Sequence, residues 1–189
     1  MSTETRTRIT VQEFEKLDNP RYTQLIDGEI VLNAPKRPHQ LLVLRIVDAL
    51  HDWTKAGAGR GMAWLSLEVE IDQHNLYEPD VLWASHARMA ELRDDQDLVP
   101  DLCVEVRSPS TWRYDVGIKK AKYEQRGLPE LWVVDTKAES VLVYRRSNPH
   151  SREFDVTLQL ARAETLTSAL LPGFAYELEE LFTPLRPPR

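Results

Sequence analysis

The chain has 189 residues, of which 42% are hydrophobic and 29% charged, and its formal net charge is −6. This length suits one domain that buries a core without metals or disulfides, and no apolar run approaches the roughly 18 residues of a membrane span. The acidic balance argues against a histone-like nucleic-acid binder, but a nuclease stays open because a metal-dependent site concentrates acids. The polar start, "MSTETRTRIT", predicts a cytoplasmic protein without a secretory signal.

The first third of the chain predicts two helices with a hairpin between them. Thr10 can cap a short helix over Val11 to Leu17. The stretch "RYTQLIDGEIVLNA" predicts two strands joined by Asp27-Gly28, the dipeptide that type I′ turns prefer, and it places Glu29 at the start of the second strand. From "HQLLVLRIVDALHDWTKAG" we expect a core-packing helix, because its apolar residues recur at helical spacing and a glycine follows.

The middle of the chain predicts three strands, in "MAWLSLEVEI", "LYEPDVLWA" and "DLCVEVRS". The polar segment between the last two predicts a loop with a helical turn. A single cysteine excludes an intramolecular disulfide framework and a Cys-based zinc cluster. Since Cys103 lies within one of these strands, we expect it to be a small buried hydrophobe.

The last third predicts the second of the two longer helices, called the second helix below, and further strands. The helix runs from about Arg113 to Arg126, with Ser110 or Thr111 as its cap and Gly127 after its end. The stretches "ELWVVD" and "SVLVYRR" predict a hairpin, "EFDVTLQL" a strand, and "YELEELF" a short terminal helix.

The order of these elements predicts a mixed α/β (α+β) fold with one central sheet. We expect a single domain over residues 9–183. Residues 1–8 are predicted to be a flexible N-terminus, and residues 184–189 a flexible proline-rich tail.

Two of the predicted strands carry one acid each among apolar neighbours. Glu105 lies between Val104 and Val106, where a lone buried carboxylate would cost several kcal/mol, so a partner is needed. Side chains two apart on a strand share a face, which puts Arg107 beside Glu105. A simple Glu–Arg pair on a sheet face is therefore as reasonable as a functional carboxylate. Asp80 follows a proline at the head of the other apolar segment.

Charged residues also follow one side of the second helix. At 100° per residue, Asp115, Lys119, Lys122 and Arg126 fall within roughly 60° of one another. The simplest explanation is an exposed i,i+4 pair of Asp115 and Lys119, worth about 0.2–0.5 kcal/mol, with the other two charges solvated. We prefer solvation for Lys122 and Arg126. Lys119 differs, because it comes one or two turns after the strand of Glu105 and could reach back to it.

At this point the residues match a family. The sequence from Tyr22 to Tyr144 resembles the bacterial putative restriction endonuclease family, the Uma-type branch of the PD-(D/E)XK nuclease superfamily. The matching pieces, in order, are "LIDGEI", a proline and His39 before the helix, "EPDV" with Asp80, "CVEVRSPST" with Glu105, and "DVGIKKAKYEQRGLPELWVVD". The resemblance covers roughly two thirds of the chain. It implies a restriction-endonuclease-like core, a central mixed sheet flanked by helices.

The resemblance also suggests a partner for Glu105. The wider superfamily has a lysine two residues after the glutamate, where this chain has Arg107. Arginine keeps its proton in proteins, so it cannot act as a base, although it can still bind a phosphate. In the Uma-type branch the lysine lies on the following helix, and the pattern "DxxxKxxxY" matches Asp115, Lys119 and Tyr123.

The implied function is hydrolysis of DNA phosphodiester bonds with Mg²⁺, or with Mn²⁺ as an alternative. The match implies Asp80, Glu105 and the Val106 carbonyl as metal ligands, and Asp80, Glu105 and Lys119 as the catalytic residues. Because nucleases that cut both strands often pair two sites, we expect a homodimer. The match further implies five accessory residues: Glu29, His39, Arg107, Asp115 and Tyr123. A glutamate at a hairpin is nevertheless more often simply solvated.

Two other functions fit the same residues. One is a catalytically silent nuclease fold that serves as a binding or assembly module. The other is a hydrolase of small phosphoesters, which needs no groove for duplex DNA. The surface charge separates the second from a nuclease, because a nuclease is expected to place basic residues beside the acids, and the candidates are Arg107, Lys122, Arg126 and Arg145.

Overall fold

The computed structural model describes residues 8–18, 22–33, 35–91, 100–108 and 111–184. The two predicted flexible ends lie outside these ranges, apart from Arg8 and Pro184. The candidate cap Ser110 also lies outside them.

The described residues form a series of short strands and helices around one long helix. In chain order the first elements are α1 (Val11–Phe14), β1 (Thr23–Ile26), β2 (Glu29–Leu32), α2 (Arg37–Lys55), β3 (Met62–Leu65), β4 (Val69–Asp72), β5 (Asn75–Tyr77), β6 (Val81–Ala84), α3 (His86–Glu91) and β7 (Leu102–Val106). There follow α4 (Trp112–Tyr114), a π-turn (Asp115–Lys119), α5 (Lys120–Arg126), β8 (Glu130–Asp135), β9 (Ser140–Arg145), β10 (Val156–Ala161), β11 (Thr165–Thr167), β12 (Ala175–Glu177) and α6 (Leu178–Leu181).

The central sheet has six strands in the order β10-β9-β8-β7-β6-β3. It is mixed, because β7 and β8 are parallel while the other neighbours are antiparallel. A parallel pair needs a long crossover, and here the crossover contains α4, the π-turn and α5. The predicted mixed α/β fold with a central sheet flanked by helices is confirmed.

A four-stranded antiparallel sheet in the order β2-β1-β5-β4 accompanies the central one. The prediction of single strands in "MAWLSLEVEI" and "LYEPDVLWA" was wrong, since each stretch is two strands in different sheets. Pro79 contributes to the second break, because it has no N–H for a strand ladder and a fixed φ. Asp80 therefore lies at the corner where the chain passes from one sheet to the other.

Several local predictions are confirmed. Thr10 caps α1 through a reciprocal capping box with Glu13, although the helix ends at Phe14 rather than at Leu17. Asp27 and Gly28 have φ values of 52° and 75°, as a type I′ hairpin turn requires. The stretches "ELWVVD" and "SVLVYRR" pair as β8 and β9. No helix among the described residues is both long and apolar enough to cross a membrane.

Each face of the central sheet has its own core. The first core lies under α2 and α6 and takes the even-numbered residues of β7: Leu102, Val104 and Val106. The second core contains Cys103, buried as expected, together with Tyr77 and Tyr123. Because alternate residues of a strand share a face, Glu105 points to the side of the second core.

Candidate active site

Asp80 comes directly before β6 and Glu105 lies near the end of β7, and these are two neighbouring inner strands of the central sheet. In the antiparallel pair of β6 and β7, Val81 is opposite Val104. The same register, continued by one residue, puts Asp80 opposite Glu105. The Oδ2 atom of Asp80 accepts the backbone N–H of Val106 at 2.7 Å. Within one strand residue the N–H and C=O point to the same side, so the Val106 carbonyl also faces the side of Asp80.

The partner of Glu105 is Lys119. Glu105 is 3% exposed and Lys119 only 1%. The Nζ atom of Lys119 lies 2.6 Å from Oε1 of Glu105, and the Tyr123 hydroxyl donates to the same oxygen at 2.7 Å. The lone carboxylate in an apolar strand is therefore stabilised by a cation and a hydroxyl from the crossover helix.

The π-turn puts Asp115 into the same buried network. Its Oδ1 lies 3.4 Å from Nζ of Lys119, and its Oδ2 accepts the Thr111 hydroxyl at 3.0 Å. The prediction of an exposed Asp115–Lys119 pair was wrong, because both side chains are 1% exposed. The ammonium also lies 5.3 Å from the centre of the Tyr77 ring. Single π-turns inside α-helices occur frequently at functional sites.

Negative charge exceeds positive charge in this network. Burial raises the pKa of Glu105 to about 8, and the carboxylates of Asp115 and Asp80 act in the same direction against Lys119. Burial likewise raises the pKa of Asp115. Burial alone would lower the pKa of Lys119, but Glu105 and Asp115 outweigh it, so that pKa is raised. Lys119 is therefore a fixed cation among three acids.

His39 contacts Asp80 from α2, the helix that covers the first core. It lies in the first turn of α2, is 4% exposed, and places Nε2 at 3.2 Å from Oδ2 of Asp80. Among the described residues, neither ring nitrogen has a hydrogen-bond partner of good geometry. The ring thus points toward Asp80 rather than into the core or solvent.

Other sequence-predicted residues are held elsewhere. Arg107 does not pair with Glu105: its NH1 group lies 2.8 Å from both oxygens of Asp135, and its guanidinium lies 4.5 Å from the centre of the Trp112 ring. Glu29 begins β2, opposite Ile26 in the four-stranded sheet. Its role as an accessory residue stays a prediction.

Most of the basic residues expected beside the site acids form ion pairs with other acidic residues. Lys122 contacts Asp72 at 2.8 Å rather than being solvated. Arg145 lies 3.5 Å from Glu130 and donates to the Thr167 carbonyl. Arg126 alone of the candidates is exposed at the end of α5.

The oxygen donors suit a hard divalent cation. The contacts of Asp80 and Glu105 with the other described residues are made through Oδ2 of Asp80 and Oε1 of Glu105, which leaves Oδ1 and Oε2 for a cation. Within that part of the chain no group of three or more His, Cys, Asp or Glu side chains is arranged to hold a metal ion. A cation here would thus be held by two carboxylates, the Val106 carbonyl and water. The residues fit Mg²⁺, which keeps several waters in protein sites.

Sequence reasoning missed Tyr77, Thr111 and Asp135. The Tyr77 ring packs edge-on against Tyr123, with ring centres 5.4 Å apart, and so forms one wall around Lys119. The hydroxyl group of Thr111 orients Asp115. Asp135 lies at the end of β8, next to Arg107, and only the pairing of β7 with β8 brings the two together. No local signal in the sequence marks Tyr77 or Asp135, and the sequence indicates Thr111 only as a helix cap, a position that it does occupy before α4.

Comparison with known proteins gives a family and a fold. A family profile described as "Putative restriction endonuclease" (Uma2) matches residues 11–179. The structure is similar to the crystal structure of a protein described as a putative nuclease belonging to DUF820 from Anabaena variabilis ATCC 29413. The TM-score is 0.75 at 20% sequence identity, over 92% of this chain and 97% of that chain. This likeness shows the fold alone. No curated protein matches the chain.

Proposed function

Because the chain belongs to the putative restriction endonuclease family, we propose that it is an endonuclease that hydrolyses DNA phosphodiester bonds with Mg²⁺, or with Mn²⁺ in its place. The observation that carries the proposal is the buried contact of 2.6 Å between Lys119 and Glu105. This contact joins the crossover helix to the end of β7, beside Asp80. A cation and two acids in this arrangement are the groups that phosphodiester hydrolysis requires.

Asp80, Glu105 and the Val106 carbonyl would hold the divalent cation. When bound, the cation supplies a polarised phosphodiester and a water of lowered pKa. The Val106 N–H orients one oxygen of Asp80, which leaves the other for the ion. Tyr123 similarly fixes the Glu105 carboxylate through Oε1.

Lys119 acts in this proposal as a charge and not as a base. Its pKa is raised by Glu105 and Asp115, so it stays protonated at neutral pH. An ammonium at this position stabilises negative charge that develops on the phosphate oxygens, and it orients the attacking water. Asp115 and Thr111 position it. His39 positions Asp80 from the opposite side.

A plasmid-nicking assay tests the proposal. Wild type with MgCl₂ is expected to convert supercoiled plasmid to the nicked form, EDTA to abolish the conversion, and Glu105→Ala to remove it. A wild type that binds DNA without nicking it under Mg²⁺ or Mn²⁺ would instead support the catalytically silent binding module. Turnover of bis(p-nitrophenyl) phosphate with intact plasmid would support the small-phosphoester hydrolase. The oligomeric state, proposed to be a homodimer, is measured by sedimentation of the same sample.

A further inference from the structure

A cleft opens directly beside Asp80. It lies between the first half of α2, the end of the β1–β2 hairpin and the end of β3. Its lining includes Tyr22, Asn33, Gln40, Leu65, Ser66, Glu78 and Asp80. The cleft thus combines an aromatic ring, two amides, a hydroxyl and an apolar side chain with two carboxylates, one of which is a proposed metal ligand. Such mixed walls are typical of sites that hold a small organic group.

Tyr22 is held in an unusual backbone conformation at this cleft. Its φ is 66°, a left-handed value that bulky residues rarely adopt. Its carbonyl accepts the N–H of Asn33 at 2.7 Å, which continues the pairing of β1 with β2 by one residue at the open end of the hairpin. The side chain is 55% exposed, so burial of the ring does not compensate for the strain. Backbone strain of this kind is concentrated at ligand sites, where the orientation of one side chain matters.

Asn33 supplies an unused polar atom in the same cleft. Its Oδ1 is buried and has no hydrogen-bond partner among the described residues. A buried carbonyl oxygen without a donor is unfavourable until a ligand provides one. The amino groups and ring N–H groups of nucleobases are such donors.

The charges around the site do not favour a long duplex. Of the four basic residues expected beside the acids, only Arg126 is exposed, whereas the other three are paired: Arg107 with Asp135, Lys122 with Asp72 and Arg145 with Glu130. Duplex binding depends on lysines and arginines that are free to neutralise several phosphates. Basic residues closer to the cleft are Lys36 and Arg37, which are exposed and follow the lining residue Pro35. They suit one or two phosphates of a short segment.

From these observations we propose that the cleft binds an unpaired nucleotide next to the scissile phosphate, with its base stacked on Tyr22. The preferred substrate is then single-stranded or locally unpaired DNA, since a base inside a duplex cannot reach an aromatic ring in a cleft unless it leaves the stack. The preference in cleavage rests on the proposed nuclease function. The binding of an unpaired nucleotide in the cleft does not depend on it.

Binding is measured first, without metal. Fluorescence anisotropy of a short fluorescein-labelled oligothymidylate in EDTA is compared with that of a labelled duplex of the same length. Single-strand binding is expected to be the tighter, and Tyr22→Ala is expected to weaken it by roughly 5- to 150-fold, the range for loss of one base stack. Tyr22→Phe keeps the ring and is expected to bind as wild type does. Leu44→Ala, at an exposed apolar residue of α2 outside the cleft, is the matched control.

Cleavage is measured second, on the same strands with MgCl₂. Wild type is expected to cut the single strand, and a duplex with an unpaired bulge, at least about tenfold faster than the perfect duplex. Tyr22→Gly removes the ring and relieves the strained φ, so it is expected to keep its melting temperature and lose this preference.

The two proposals fail separately. Equal cutting of duplex and single strand, with Glu105→Ala inactive, overturns the unpaired-nucleotide proposal and leaves the nuclease intact. Tight binding that depends on Tyr22, without any cutting, overturns the nuclease and supports the cleft. Single-strand binding that Tyr22→Ala leaves unchanged overturns the cleft proposal, whether or not cutting occurs.

Discussion

Two glutamates are buried in the neighbouring parallel strands β7 and β8, and they differ in what surrounds them. Glu130, at the start of β8, is 1% exposed and accepts hydrogen bonds from Trp132 Nε1 at 2.6 Å and Ser168 Oγ at 2.9 Å. Arg145 balances its charge from 3.5 Å. Glu105, near the end of β7, shares its single cation with Asp115, and Asp80 lies beside it.

The comparison separates a structural acid from a candidate catalytic one. Burial alone does not, because both glutamates are buried and both have a raised pKa. At Glu130 two neutral donors use both oxygens and one arginine balances the charge. At Glu105 both donors use Oε1, and three acids surround one ammonium. An uncommitted oxygen and an excess of negative charge are what a divalent cation would satisfy.

The largest expected effect is a loss of nicking activity when the residues around Glu105 are changed. Lys119→Ala removes the fixed cation but leaves both acids, so we expect nicking to fall by roughly 10²-fold or more while Mg²⁺ still binds. Asp80→Ala is expected to lose both nicking and Mg²⁺ binding. Nicking rates and calorimetric titration with MgCl₂ measure the two quantities. Nicking by Lys119→Ala at the wild-type rate would contradict a catalytic role for this lysine.

A substitution at Glu130 is expected to lower the stability of the protein rather than its activity. Glu130→Ala leaves Trp132 Nε1 and Ser168 Oγ without their acceptor and Arg145 without its counterion, so we expect a loss of about 3 kcal/mol in the free energy of unfolding. Urea denaturation measures the loss. Nicking per folded molecule is expected to be unchanged, and a specific loss of turnover would show that the two glutamates are coupled.

A dependence of stability on pH is also expected, in the metal-free protein. Glu105 has a folded pKa of about 8 against an ordinary value of 4.5, so between these values the folded state binds the proton more tightly than the unfolded state. The stability contributed by the protonated form is therefore present below about pH 4.5 and is lost as the pH rises toward about 8. Mg²⁺ affinity is expected to rise over the same window, because the ion needs the ionised carboxylate.

Glu105→Gln tests this assignment, because it removes the titrating group. The difference between wild type and this variant in melting temperature is expected to grow from pH 5 to pH 8, about the range between the two pKa values. Parallel melting curves over that range would show that another group is responsible.

The smallest effect is expected from Arg107. Arg107→Ala breaks a partly buried pair with Asp135 and the contact with Trp112, so we expect a loss of about 1 kcal/mol in stability and a modest rise in KM. Arg107→Lys in a Lys119→Ala background puts a lysine at the superfamily position. Partial recovery of nicking would show that either position can supply the cation, and no recovery would show that the helix position is required.

The sequence selected several residues that the structure brings together, but it did not predict how they are placed. Asp80, Glu105 and Lys119 could be selected because the resemblance aligns them with a known pattern, and the strand alternation at Glu105 is local. The pairing of Arg107 with Asp135 could not be predicted, because it depends on which strand lies beside β7. The burial of Lys119 could not be predicted either, since the argument from 100° per residue assumes a regular helix and the π-turn breaks that period.

The π-turn has a consequence for how such a site is gained or lost in evolution. A π-turn amounts to one extra residue in an α-helix, and Gly117 within it has open space around it. Deleting one codon there would restore a regular helix and rotate Lys119 and Tyr123 by about 100° relative to Asp115 and Thr111. All three acids would keep their places, but the Lys119 ammonium would no longer point toward them. In lineages with this architecture, a change of length in the crossover helix would therefore disrupt the proposed site while every signature residue type is still present.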